Sequence, residues 1–468
     1  MIIHARNPRN GTIDYSFKSP TSEELYATCM YLRDNQINWS RLSINERINA
    51  LQKWKNAVEK NKQQLIEALV VDTGRLWETN LEVDLVATSI DRWCSIASNL
   101  FQYKPDRVTS IPTLSLENNW VPYTLVGVIS PWNFPLLLSL IDTIPALLAG
   151  CAVVVKPSEI TPRFIEVIQK TIQEVPELKN VLSYIQGNGE TGEALLNLCD
   201  LVCFTGSTET GKKVYQIAAK KMIPVFLEMG GKDPAIILEG ADLEGAAAAI
   251  CWGATANAGQ SCLSIERIYV QETIFDNFST ILTKKVATME LNYPLIEKGK
   301  VGPIIFKKQA EIINDHLVDA IQKGALILTG SESCIELGGG LYCKPTVLKN
   351  VNHSMKIMRE ETFGPIMPLM PFKTIDEAIN LANDTQYGLS GAVFARTNEE
   401  AVEVAKNIHA GAISINDAAL TAVMHEGEKS AFRLSGIGGS RMGPSAIQRF
   451  LKTQVFIKKN GESSSPWW

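Results

Sequence analysis

Between residues 123 and 240, short runs of Val, Ile and Leu alternate with helical patterns, and this alternation constrains the fold more than any other feature of the chain. The apolar runs are TLVGVIS, AVVVK, VLSYI, LVCFTGS, PVFLEMG and PAIILEG, with helices expected from Pro135 to Gly150, from Pro162, and from Thr208 to Ala219. Strands that are apolar along their whole length need cover on both faces, which is the condition of a parallel sheet flanked by helices. A second alternating series starts near Leu243, with strands expected at IERIYV, ALILTG, PTVLKN, IMPLMPF, GAVFA and AISIN. Ahead of both, residues 21 to 102 carry apolar residues at spacings of three and four and read as helices, one of them stopped at Gly74. The expected class is α/β, with two alternating domains and a helical start.

The bulk properties narrow the range of partners. A chain of 468 residues, 45% hydrophobic and 20% charged, can bury a large core in two or three domains. Its net charge of -5 and scattered Lys and Arg leave no basic footprint for nucleic acid or an anionic membrane, so a small-molecule partner is expected. The opening MIIHARNPRNGTIDYSF has no apolar signal core, and no run reaches the roughly 20 apolar residues of a membrane span, so a cytoplasmic location is expected. The nine cysteines are odd in number and never form CxxC, and His4, His316, His353, His409 and His425 are isolated in sequence. Neither a disulfide framework nor a metal site is expected.

Several polar residues stand where such a fold gathers its ligands. Cys262 lies in NAGQSCLSIERIYV, before an expected strand; a cysteine there is ordinarily a small packing residue. Gly259, Gln260 and Ser261 read as a polar, flexible turn that suits an accessible thiol, a nucleophile if it ionises. Glu228 ends the strand in PVFLEMGGKDP and faces two glycines, a position for a general base as well as for a plain strand terminus. Asn133 follows Trp132 in VISPWNFP, where an amide either caps the next helix or donates to a developing oxyanion. Two glycine signals compete for a dinucleotide: a GxGxxG from Gly187 to Gly192, and FTGSTETG, in which Gly206 ends a strand and Ser207 caps a helix containing Gly211. Lys156, Ser158 and Glu159 in VVVKPSEITP end another strand, where an acidic residue reads ribose hydroxyls and favours NAD over NADP.

Taken together these pieces resemble the aldehyde dehydrogenase superfamily. The resemblance rests on SPWNFP, KPSEITP, FTGSTETG, LEMGGKDP, the NAGQSC turn, EETFGP from Glu360 and QYGLSGAVFA from Gln386, which fall in the family's order across residues 120 to 416. It implies a Rossmann-like NAD(P)-binding domain at 1–102 and 123–230, a catalytic domain at 231–440, and a small oligomerisation element at 103–122 and 441–468, making a homodimer or homotetramer. It implies Cys262 as the nucleophile, Asn133 with the Cys262 backbone N–H as the oxyanion donors, and Glu228 as the base that hydrolyses a thioester. Trp132, Lys156, Ser158, Glu159, Gly206, Ser207, Gly211, Glu361 and Phe363 would border the cofactor, NAD with NADP as the alternative. The GxGxxG at 187 would then not be the main phosphate cradle.

The chain departs from the family's common PFGG-x-K pattern after Asn416, reading DAALTAVMHEGEKSAFRLSGIGG. The apolar residues and missing Arg between 418 and 424 favour an apolar aliphatic or aromatic aldehyde over a semialdehyde bearing a carboxylate. Two other readings stand beside the hydrolytic enzyme. One is a non-catalytic binding member of the fold, which would be expected to have lost Cys262 or Glu228. The other is a coenzyme A-acylating dehydrogenase, against which Glu228 argues. The closing SSSPWW carries two tryptophans expected to pack on another subunit or domain.

Overall fold

The computed structural model describes residues 1–102, 107–111 and 113–460. The Trp467–Trp468 tail and part of the expected oligomerisation element lie outside the described residues. Two large sheets organise the molecule. In the first, Val225–Glu228, Leu201–Thr205, Leu125–Ile129, Ala152–Lys156 and Leu182–Tyr184 run parallel in that spatial order, and Gly436–Ile437 adds an antiparallel edge beside Val225–Glu228. The order reverses at Leu125–Ile129: the chain first moves out to Leu182–Tyr184, then returns to build the other side. A crevice therefore opens at the carboxyl ends of Leu125–Ile129 and Leu201–Thr205, the position where open α/β sheets bind ligands.

The second sheet places Leu326–Thr329, Thr346–Lys349, Ile366–Phe372, Ile265–Gln271, Asp233–Ile237, Ser390–Phe394 and Ala412–Ile415 side by side, all parallel except the first. The run PAIILEG thus belongs here, not to the first series in which its sequence position put it. A local apolar pattern cannot say which sheet a strand joins; Asp233–Ile237 is fully buried between Ile265–Gln271 and Ser390–Phe394. A third, antiparallel sheet joins Leu451–Lys459, Leu114–Pro122 and Arg107–Val108. Its strand Leu451–Lys459 leaves Val455, Phe456 and Ile457 exposed.

The helices at the start of the chain follow the sequence closely. Thr21 and Ser43 close capping boxes with Glu24 and Glu46, and Gly74 stops a helix in the left-handed region at φ +70°. The helix expected from Pro135 to Gly150 is broken into Pro135–Leu140 and Thr143–Ala149. Pro145 has no N–H to give the Ile141 carbonyl. At the break the Asp142 carboxylate accepts from Arg441 Nη2 at 2.6 Å and pairs with Arg449, partners some 300 positions away that hold the two pieces apart.

Candidate active site

The functional candidates gather around the first sheet's crevice and the neighbouring end of the second sheet. The helix Gly189–Leu196 that follows Gly187 crosses back over the sheet from the edge strand Leu182–Tyr184, packing on Leu125–Ile129 and Thr208–Lys221 with Gly192 beside Ile129 and Lys156. Its first turn is closed from within: Asn188 Oδ1 accepts from Thr191 N, and Thr191 Oγ1 shares a hydrogen bond of 2.7 Å with Ser19 Oγ.

At the reversal point the geometry suits a dinucleotide. Ser207 caps the helix Thr208–Lys221, accepting from Thr210 N at 3.4 Å, so a fourteen-residue helix aims its N-terminus at the crevice. The Gly206 N–H donates to the Glu228 carbonyl, and Gly211 lets that helix close on Met229, whose Sδ would lie 2.2 Å from an added Cβ. On the neighbouring strand end Lys156 is buried, and its Nζ donates to Glu159 Oε2 at 3.1 Å, leaving the carboxylate partly open. Ser158 Oγ accepts from Ile160 N, which shapes that turn. Ser130 Oγ, at the mouth of the central strand, is buried with no protein partner. An orphan hydroxyl, a buried lysine beside an open carboxylate and a helix N-terminus together fit a nucleotide's ribose and phosphate groups.

Asn133 is not a helix cap. The first turn of Pro135–Leu140 is capped from another helix, Glu82 Oε1 accepting from Leu136 N at 2.9 Å and Leu137 N at 3.0 Å. Asn133 instead points its amide across to the second sheet, donating from Nδ2 to the Gln260 carbonyl at 3.0 Å, two residues before Cys262. The same carbonyl accepts from Asn257 Nδ2, and Asn257 N donates to Glu78 Oε1.

The turn expected to be flexible is pinned. Gln260 is fully buried; its Nε2 donates to the Asn257 and Pro303 carbonyls and its Oε1 accepts from Ile305 N at 2.8 Å. Gly259 has φ +72°, and an added Cβ would stand 2.3 Å from the Gly364 carbonyl carbon. Cys262 itself is half-buried: part of its surface reaches solvent although protein surrounds its sulfur. That burial pushes its thiol up to about 12, with Glu361, Glu228 and Asp233 adding to the rise and Lys429 opposing it. Glu228 closes its strand next to Thr205, and the two glycines that follow make room for different groups. A Cβ on Gly230 would meet the Glu361 carboxylate at 2.3 Å, and one on Gly231 would meet the Cys262 carbonyl at 2.7 Å.

The loop carrying Glu361 and Phe363 is held by a pair that sequence reasoning missed. Glu266 and Lys232 are both buried and bonded at 2.6 Å, and the Glu266 carboxylate also accepts from Thr362 N at 2.7 Å and Phe363 N at 2.8 Å. Gln309 Nε2 donates to the Thr362 carbonyl from the far side. The signal was present in IERIYV, where two charged residues interrupt a strand that must be buried and so require partners. Glu361 accepts from Gly231 N at 3.1 Å, and burial, then Glu266, raise its carboxyl to about 8. Phe363, at φ +52°, packs edge-on against Trp132 with ring centroids 5.4 Å apart. The segment after Asn416 turns Val423 and Met424 outward and buries His425, while Lys429 lies near enough to act on Cys262.

A reversed parallel sheet carrying a helix-capped crevice, with the cysteine, carboxylate and amide candidates at its rim, has the form of a nucleotide-binding oxidoreductase site. Residues 2–456 match the model of the aldehyde dehydrogenase family, and the chain belongs to that family, whose members oxidise aldehydes to carboxylic acids with NAD or NADP. It is 32% identical over 446 residues to the "Putative succinate-semialdehyde dehydrogenase (NADP(+)) 2" of Mycobacterium ulcerans, covering 93% of this chain and 84% of that one. The solved putative aldehyde dehydrogenase from Anabaena variabilis superposes with a TM-score of 0.98 at 57% identity over 100% of both chains. Betaine aldehyde dehydrogenase from Staphylococcus aureus, solved with NAD+, gives 0.92 at 30% identity, covering 100% of this chain and 93% of that one.

Proposed function

We propose that this dehydrogenase works through a covalent intermediate on Cys262. The carrying observation is the pinned Asn257–Gln260 turn, which ties the Asn133 amide to the Gln260 carbonyl two residues before Cys262 and leaves Cys262 within electrostatic reach of Glu228. The Cys262 sulfur adds to the aldehyde carbon, and the resulting thiohemiacetal oxyanion takes hydrogen bonds from Asn133 Nδ2 and the Cys262 backbone N–H. NAD(P)+ when bound supplies the acceptor for the two electrons that leave the substrate carbon. Glu228 then takes a proton from water as it attacks the thioester, and the acid leaves with Cys262 restored. Trp132, Lys156, Ser158, Glu159, Gly206, Ser207, Gly211, Glu361 and Phe363 line the cofactor crevice in this reading. The open Glu159 carboxylate beside Lys156 favours NAD, since an anion there repels a 2'-phosphate. Replacing Cys262 by Ala should abolish NADH formation and leave cofactor affinity within about twofold; substantial remaining oxidation would overturn the assignment.

An apolar aldehyde fits the outward Val423 and Met424. A carboxylate-bearing aldehyde is the competing class, favoured by Lys429 near the thiol. Initial rates across aliphatic, aromatic and semialdehyde substrates decide between them. Assembly as a homodimer or homotetramer in the cytoplasm completes the proposal. The domain division is also part of it, with cofactor binding at 1–102 and 123–230, catalysis at 231–440, and an arm from 103–122 and 441–468. The exposed Val455, Phe456 and Ile457 of that arm support a subunit contact, and among the described residues no helix is long and apolar enough to cross a membrane.

A further inference from the structure

Far from the catalytic cysteine in sequence, two other thiols face each other across a hairpin. The strands Ile335–Leu337 and Gly340–Tyr342 pair antiparallel with Ile335 opposite Tyr342, Glu336 opposite Leu341 and Leu337 opposite Gly340. Gly338 and Gly339 make the two-residue turn, both at positive φ (+59° and +89°), as such tight hairpins require. One step beyond Ile335 and Tyr342 stand Cys334 and Cys343.

The alternation of the ladder fixes their relation. The Leu341 carbonyl accepts from Ile304 N at 2.7 Å and so points away from its own hairpin, which makes Glu336 and Leu341 a pair not bonded across the strands. The paired strands end at Ile335 and Tyr342, and Cys334 and Cys343 stand one residue past them, in the same register as the Glu336–Leu341 pair. Such pairs bring their Cα atoms to about 4.5 Å with the side chains close. That falls within the roughly 4.4–6.8 Å span of disulfides. Cys334 is near enough to hold the Cys343 thiol up, while the Cys334 Sγ donates to the Ala310 carbonyl at 4.0 Å and the Cys343 Sγ to the Lys344 carbonyl at 3.7 Å. Cys334 is half-buried and Cys343 is fully buried, and every other cysteine except Cys262 is buried.

We propose that Cys334 and Cys343 form a reversible cross-strand disulfide when the protein meets hydrogen peroxide. The accessible Cys334 sulfur attacks the peroxide, breaking its O–O bond and leaving a sulfenic acid and one water. The Cys343 sulfur then displaces the hydroxyl from Cys334, a second water leaves, and the S–S bond forms. The two electrons pass from the thiols to the peroxide, and a dithiol returns them. The hairpin is also wired toward the active site. Ile304 bonds Leu341, and its neighbour Ile305 bonds the Gln260 side chain behind Cys262.

Trypsin isolates this pair cleanly, because Lys323 and Lys349 bound a peptide holding only these two cysteines, and Lys344 is shielded by Pro345. The full-length protein is treated with hydrogen peroxide, denatured, alkylated and digested without reduction. The expected peptide 324–349 carries no alkyl group and is lighter than its dithiol by two hydrogens. Dithiothreitol restores both alkylation sites, and Cys334→Ser leaves Cys343 singly alkylated. Two alkyl groups on the wild-type peptide at a dose that has fully oxidised Cys262 would overturn the proposal, as would a sulfinic or sulfonic acid at Cys334 with Cys343 still free.

Discussion

Glu266→Gln offers a sharp perturbation because one buried carboxylate serves three donors at once. In the native protein Glu266 takes Lys232 Nζ at 2.6 Å and the backbone N–H groups of Thr362 and Phe363. The amide keeps one acceptor oxygen and turns its NH2 toward a donor, so at least one of these groups loses its partner. Breaking a buried ion pair from one side costs about 3–5 kcal/mol. Burial already lowers the Lys232 ammonium, and its second bond, to Thr362 Oγ1 at 3.1 Å, survives, which places the expected cost near the lower end of that range. Because two of the three donors belong to the loop carrying Glu361 and Phe363, cofactor binding should weaken together with stability. Urea unfolding and a fluorescence titration with NAD+ read both quantities. The control is Glu360→Gln, whose exposed carboxylate lies 3.6 Å from His316 and should matter little. A Glu266→Gln protein destabilised by under about 1 kcal/mol, with NAD+ affinity unchanged, would refute the reasoning.

Two further outcomes follow from the same site. Gly259→Ala combines a left-handed backbone, worth about 1–2 kcal/mol of strain, with a clash against the Gly364–Pro365 backbone worth about 1–3 more. It should therefore lose stability and activity together, whereas Gly324→Ala, at φ +99° with open space around it, should show the backbone strain alone. In the cofactor-free protein the Cys262 thiol, held up to about 12, is protonated at neutral pH, and its thiolate grows roughly tenfold per pH unit. Iodoacetamide should then modify Cys262 at a rate that climbs from pH 6 to 10 without levelling, and a plateau near pH 7 would contradict this.

Much of the fold was legible because its determinants are local. Apolar runs marked both sheets, Ser207 marked the helix at the crevice, and Gly74 marked a helix end. The residues that hold the site rigid were not legible, since their partners are remote. Glu82 caps a helix more than 50 positions away, and Asp142 breaks another through Arg441 and Arg449. The turn before Cys262 read as flexible because Gln260 is polar, but its side chain is consumed by the backbone of Asn257, Pro303 and Ile305. Asn133 read by itself more readily as a cap than as an oxyanion donor, but Glu82 already fills that place. The strand Asp233–Ile237 had the right pattern and the wrong sheet, because periodicity fixes an element's type and not its neighbours.

The most direct measurement is a rapid-quench experiment on Glu228→Gln with an aldehyde substrate and NAD+, following NADH and the mass of the Cys262 peptide together. A burst of one NADH per active site, followed by a steady rate slowed about 10²–10⁴-fold with an acyl group retained on Cys262, is the expected result. Steady turnover at the wild-type rate, or a burst with Cys262 unmodified, would contradict the covalent route.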